Sequence, residues 1–273
     1  YRKLTRYVAY NREIMENNEV KPFVRDYGMV IVDECHHVSS VSFEQVLKQV
    51  NAHYVYGLTA TPIRKDGHQP IIFMQCGKIR YTADAKSQMD RQGFVRILIP
   101  RFTSFRNVSP DTKTYTQTIE ALSTDKVRNN LIIEDVKTVI AEGRTPIILT
   151  NLTSHVRILT ELLQPHAMHV VSLVGADSAK EKNMAMEKLD KIADSDSLVI
   201  IATGKYIGEG FDYPRLDTLF LALPISWKGN IAQYAGRLHR DYDGKNEVRI
   251  YDYVDIRVPL CDSMYRKRLR GYA

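Results

Sequence analysis

Short apolar runs separated by helix-length stretches set the fold this chain can reach. In the second half such runs lie at residues 147–149, 169–173, 198–201, 218–223 and 248–253. Before and between them, 127–140, 154–163 and 180–192 repeat apolar residues at helical spacing. Aliphatic, β-branched runs bounded by polar turns suit strands buried on both faces. Strands that alternate with helices need right-handed crossovers, which lay the helices on both sides of a parallel sheet. The first part repeats the pattern in shorter form, with runs at 29–32 and 53–58 around a helical stretch at 42–50, so both strands are expected to be buried. From 100 to 124 the chain turns rich in Ser, Thr, Pro and Lys with little periodicity, as a connection would. The expectation is an α/β protein of two parallel-sheet domains, residues 1–105 and 106–273.

Composition narrows the class without naming a function. A hydrophobic fraction of 44% with 26% charged residues is that of an ordinary globular protein. No apolar run reaches the roughly 20 residues that cross a bilayer, and residues 1–20 hold no signal-peptide core. The 3 cysteines, Cys35, Cys76 and Cys261, are too far apart for a zinc knuckle or a disulfide framework, which favours a reducing cytoplasm. His36 and His37 beside Cys35 lack a second ligand pair at zinc spacing. A net charge of +6 favours an anionic partner, although so mild an excess also suits a solvated surface.

Parallel sheets bind ligands in the loops at the carboxyl ends of their strands, and the distinctive clusters of this chain fall at such ends. Asp33 and Glu34 follow the first apolar run. Two adjacent carboxylates there can hold a magnesium ion through water and orient a second water toward a phosphate, or they can merely end a strand. One helix and one strand later comes Thr59-Ala60-Thr61-Pro62. In the second half Glu209-Gly210-Phe211-Asp212 follows the run that ends near Thr203, and then comes Gln233-Tyr234-Ala235-Gly236-Arg237-Leu238-His239-Arg240. On a helix Gln233, Gly236, Arg237 and Arg240 share one face. That is the pattern of a basic surface helix, and also of paired arginines stabilising a transferring phosphoryl group, a task suited to the planar guanidinium fork.

Taken in order, Asp-Glu-Cys-His-His, Thr-Ala-Thr-Pro-x-Arg, Glu-Gly-Phe-Asp-x-Pro and the Gln-to-Arg helix resemble the motifs of the DExH branch of superfamily-two helicases and translocases. The likeness is greatest to repair helicases and the motor subunits of restriction systems, and it covers residues 28–253. It implies two RecA-like domains that use ATP and magnesium. Carried over residue by residue, Asp33 becomes the magnesium carboxylate and Glu34 the catalytic base, with Gln233, Arg237 and Arg240 reaching the phosphates. Glu209, Gly210, Asp212 and Gly236 would line the nucleotide, while His36, Thr59 and Thr61 would couple hydrolysis to movement. Thr150 and Asn151, with Thr203, Gly204 and Lys205, match the stretches that hold a nucleic-acid backbone, DNA rather than RNA. Such contacts would be largely indifferent to base order. His155, on the helix behind them, reads as structural. Trp227 can stack on a base or cover apolar surface, and Tyr265-Arg266-Lys267-Arg268-Leu269-Arg270 can track phosphates but reads rather as a solvated helix or tail.

The sequence departs from the family in one respect. Gly-x-x-x-x-Gly-Lys-Ser/Thr, the loop whose amides cradle the phosphates, does not occur in these residues; Gly204-Lys205 is followed by Tyr206 and has Val199 where the first glycine belongs. The chain also opens on Tyr1 rather than Met. Both features are read as those of a piece of a longer protein, the first domain incomplete and its phosphate-binding loop upstream, with these residues alone inactive. A nuclease or repair protein is the expected partner. Two other classes fit the same residues: a non-enzymatic nucleic-acid-binding module on a motor fold, and a translocase that moves on duplex without unwinding it.

Overall fold

The computed structural model describes residues 15–16, 19–35, 41–59, 69–82, 95–106, 114–175, 178–208, 211–225, 238, 240 and 242–272. The chain divides into two compact units, Tyr1–Asp84 and Ala85–Ala273. Among the described residues, no helix is long and apolar enough to cross a membrane.

In the first unit β1 (Met15–Glu16) pairs antiparallel with β2 (Glu19–Val20), and a 3-10 turn at Pro22–Asp26 leads to β3 (Met29–Val32). Helix α1 (Val41–Gln49) carries the chain to β4 (Tyr54–Gly57), which pairs in parallel with β3, and α2 (Gln69–Cys76) follows. Val30, Val32 and Val55 pack with Leu47 of α1 and with Ile72 and Cys76 of α2. The intervening Met29, Ile31, Tyr54 and Tyr56 face the other way and are 51%, 60%, 52% and 41% exposed. The expectation of strands buried on both faces is therefore corrected: among the described residues, helices cover one face of this ribbon. A continuous apolar run carries no period, so it reads alike for one-sided and two-sided burial. Gly57 is needed for close approach, because a Cβ there would stand 2.8 Å from Cys35 Sγ and 3.0 Å from Cys76 Cβ.

The second unit is built on six parallel strands: β5 (Val95–Phe102), β6 (Pro146–Thr150), β7 (His169–Leu173), β8 (Leu198–Thr203), β9 (Thr218–Leu221) and β10 (Glu247–Val254). They lie in the order β5-β10-β9-β6-β8-β7. Helices α3 (Tyr115–Thr124), α4 (Lys126–Ala141), α5 (Thr153–Leu163), α6 (Ala179–Asp190), the short α7 (Gly204–Gly208) and α8 (Pro259–Tyr272) complete it. The alternation of side chains along each strand divides the core. Ile147, Leu149, Leu173, Ile200, Leu219 and Leu221 pack to one side with Leu189 of α6. Ile148, Val199, Ile201, Phe220 and Tyr253 pack to the other with Ile132 and Val136 of α4 and Leu159 of α5. Every residue of β6, β8 and β9 is buried, which is the doubly covered parallel sheet that the alternation predicts.

Two sequence expectations change here. The division between units falls after Asp84, not near residue 105, because β5 pairs with β10 along its whole length, from Val95 opposite Glu247 to Phe102 opposite Val254. Part of the supposed connection is also a helix. Thr114 accepts from the amide of Gln117 while the Gln117 side chain accepts from the amide of Thr114, a capping box that starts α3, and Ile119 and Leu122 are buried one turn later.

Candidate functional site

The acidic pair of the first unit stands where β3 ends. Val32 is buried and Asp33 exposed, and Glu34 adopts φ +48°, a left-handed conformation that costs a non-glycine residue roughly 1 kcal/mol or more. Local bonds hold this turn. The Glu34 amide donates to Asp33 Oδ1 at 2.9 Å, the Cys35 amide to the carbonyl of Leu58 at 2.9 Å, and the Leu58 amide back to Val32 at 2.9 Å. Buried Cys35 anchors the turn from below, and burial pushes its thiol pKa up. Because β3 and β4 are parallel neighbours, Asp33, Glu34 and Thr59 emerge at the same edge of the ribbon. Oxygen donors on a partly exposed turn suit a hard cation such as magnesium, which keeps several waters and takes few carboxylates. His36 and Thr61 lie outside the described residues.

In the second unit Asp212 and Arg240 come together, with Arg240 Nε 3.2 Å from Asp212 Oδ1. Their neighbours explain the meeting, since Phe211 and Leu238 belong to one buried cluster and carry the polar residues to the surface beside them. The side chains are 52% and 44% exposed, so the pair contributes at most about 1 kcal/mol and leaves Arg240 free to exchange partners. Glu209, Gly210, Gln233, Gly236, Arg237 and Trp227 lie outside the described residues.

The residues expected to hold a nucleic acid gather at the carboxyl edge of the second sheet, where Thr150 of β6 and Thr203 of β8 are register partners. Their side chains behave differently from expectation. Thr150 is fully buried and its Oγ1 lies 2.9 Å from His155 Nδ1, so the hydroxyl is turned inward and unavailable to a phosphate. Thr203 is 8% exposed and accepts from the Gly175 amide at 2.8 Å. Asn151 is exposed, and its amide nitrogen donates to the carbonyl of Pro224 at 3.3 Å. Gly204 and Lys205 open α7 beside them.

Beneath this edge lies a buried ionic frame. Arg128 of α4 bonds both oxygens of Asp255, at 3.1 and 3.3 Å, and the carbonyl of Ala222, while Thr103 donates to the same carboxylate; neither charged side chain has any exposed surface. The Arg128–Asp255 pair thus joins the ends of β5, β9 and β10. Arg268 of α8 grips Asp252 through two bonds of 2.8 Å and the carbonyl of Ile225 at 3.2 Å. At 1% exposure Arg268 is a docking residue, which corrects the reading of 265–270 as wholly solvated. Nothing in the local sequence marks these pairs; only the Asp125 cap at the start of α4, which accepts from the Arg128 amide, was open to pattern reading.

Comparison with known proteins gives a consistent set of likenesses. The family described as "Type III restriction enzyme, res subunit" matches residues 3–64. The chain is 24% identical over 91% of its length to a protein of Acanthamoeba polyphaga mimivirus named "Putative ATP-dependent RNA helicase L396", and covers 46% of it. It is 26% identical over 92% of its length to "Putative helicase 161L" of Invertebrate iridescent virus 6, covering 56%. The chain therefore spans about half the length of these relatives. Among solved structures, T4 UvsW aligns with 89% of this chain and 47% of its own at 18% identity, with a TM-score of 0.48.

Proposed function

We propose, from the premise that this chain belongs to the superfamily-two helicases and carries their motor core, that it works in an ATP-driven motor that moves along a nucleic-acid strand, with DNA as the track. The observation that carries the reading is positional: Asp33, Glu34 and Thr59 at the ends of two neighbouring strands, in a chain whose Asp212 and Arg240 meet at the surface of the other unit. The match to a restriction-enzyme family supports DNA as the track, and the likeness to a protein named as an RNA helicase makes RNA the alternative that the test separates. A nuclease or repair protein is the partner class this reading favours.

In the proposed reaction Asp33 would hold magnesium through water, and the bound ion would supply charge neutralisation for the ATP phosphates. Glu34 takes the proton of the attacking water and orients it. Arg240, with Arg237 and Gln233, stabilises the negative charge that spreads over the transferring phosphoryl group, a contribution of roughly 10³ to 10⁵ in rate for an arginine finger. Glu209, Gly210, Asp212 and Gly236 line the nucleotide, and His36, Thr59 and Thr61 relay its loss to the track. Asn151 and the backbone amides near Gly204 and Lys205 hold phosphates of the strand. Lacking a Gly-x-x-x-x-Gly-Lys-Ser/Thr loop, residues 1–273 turn ATP over slowly or not at all by themselves.

The test joins this chain to a segment that carries a phosphate-binding loop and measures ATP turnover with single-stranded DNA, duplex DNA and RNA over a salt series. Stimulation by DNA that disappears in Glu34→Gln and falls steeply with salt is expected. Turnover that no nucleic acid stimulates, or that survives Glu34→Gln unchanged, would overturn the proposal.

A further inference from the structure

A line of buried polar groups runs from the helices of the second unit to the turn after β6. Asn129 Nδ2 donates to the carbonyl of Ser123 at 2.8 Å, Asn129 Oδ1 lies 3.1 Å from His155 Nε2, and His155 Nδ1 lies 2.9 Å from Thr150 Oγ1. The Leu152 amide closes the line by donating to Thr150 Oγ1 at 3.4 Å. Thr150 and His155 have no exposed surface and Asn129 has 3%.

Donor and acceptor chemistry fixes the direction of each bond. A carbonyl can only accept, so the Asn129 amide group faces Ser123 and its oxygen faces the imidazole. Burial keeps His155 neutral, so the ring carries its one proton on Nε2 and presents a lone pair at Nδ1, to which the Thr150 hydroxyl donates. The Thr150 oxygen is thereby left to accept the Leu152 amide. Residues 150 and 152 are held from the interior, and Asn151 between them is exposed at the carboxyl edge, with one amide hydrogen on the Pro224 carbonyl.

We infer that His155 is a positioning residue: its neutral imidazole aims the Thr150 hydroxyl and thereby sets the turn that presents Asn151 to a phosphate of the nucleic-acid strand. The inference rests on the proposed nucleic-acid contact at this edge. It assigns His155 a task beyond filling the core, because only its Nδ1 side serves the turn while its Nε2 side serves α4.

That asymmetry gives the experiment. In a helix an Asn side chain places its oxygen near the Nδ1 position of a histidine, and a Gln side chain places its amide near the Nε2 position. His155→Asn keeps an acceptor for Thr150 and abandons Asn129, whereas His155→Gln keeps a donor for Asn129 and abandons Thr150. Each leaves one buried polar group unpaired, so the two should lower the thermal midpoint alike. Binding to a fluorescein-labelled single-stranded oligonucleotide, read by anisotropy at fixed salt, should separate them. His155→Gln and Asn151→Ala are expected to weaken it by a factor of about three to ten, the scale of one hydrogen bond, and His155→Asn by less than twofold. Thr150→Val set against Thr150→Ser repeats the comparison from the other end of the bond, should a His155 variant fail to fold. Equal losses in His155→Gln and His155→Asn would reduce His155 to a purely structural residue and overturn the inference, as would full affinity in His155→Gln and Thr150→Val. Full affinity in Asn151→Ala would instead remove the nucleic-acid contact itself, and the inference with it.

Discussion

His155 has to stay neutral, and acid should find it. Burial first, and the nearby Arg128 guanidinium second, lower its pKa from 6.5 to about 3. The unfolded chain therefore binds a proton below about pH 6.5 that the folded chain refuses. Stability from this residue is intact above that pH and is lost as pH falls toward 3, at a limiting rate of about 1.4 kcal/mol per pH unit. Urea unfolding between pH 7 and 4.5 should thus be steeper for the native sequence than for His155→Asn, and equal slopes would show the imidazole to be solvated. The Arg128–Asp255 pair makes the opposite kind of demand. Removing one partner leaves a desolvated charge, so Arg128→Ala should cost about 3–5 kcal/mol in the same assay, while a paired replacement by apolar residues of similar volume should cost far less. A loss below about 1 kcal/mol in the single variant would mean water reaches Asp255.

For the elements, the first unit offers the clearest local test. A methyl group on residue 57 would press on Cys35 and Cys76, so Gly57→Ala should destabilise the ribbon by about 1–3 kcal/mol. Hydrogen exchange should speed up for amides of β3 and β4 and stay unchanged in β6 and β8. Comparison of sequence with structure turns on the same elements. Strands β6 to β10 were legible as short apolar runs bounded by polar turns, and helices α4 to α6 because each carries its own period and is covered on the side that period indicates. Strand β5 was not, since its identity lies in a partner far along the chain, and Arg96, Pro100 and Arg101 interrupt its apolar residues. Helix α3 was legible in principle from Thr114-x-x-Gln117, a signal outweighed by the surrounding Ser, Thr and Lys. At the candidate site, the motif residues were readable from order and spacing, whereas the inward turn of the Thr150 hydroxyl depends on His155 and Asn129, which no local pattern connects.

Across the whole molecule, the proposed phosphate-binding strip and the proposed catalytic pair predict different salt responses. Oligonucleotide affinity of residues 1–273 should fall on a straight line in log–log salt plots, by about one power of salt for each phosphate contacted, with a common slope for unrelated sequences. Base-order dependence at constant salt would argue for contacts to base edges. The sheet order has a further consequence for how such a chain comes into being. Within the second unit strand β5 leaves the ribosome ahead of the other described strands, yet its pairing partner β10 appears only about 150 residues later, so a nascent chain carries an unmated strand through most of the unit's synthesis. A message cut short before residue 247 would release a product in which 95–102 has no neighbour to pair with, and quality-control proteases would meet there the loose tether that the local composition resembles.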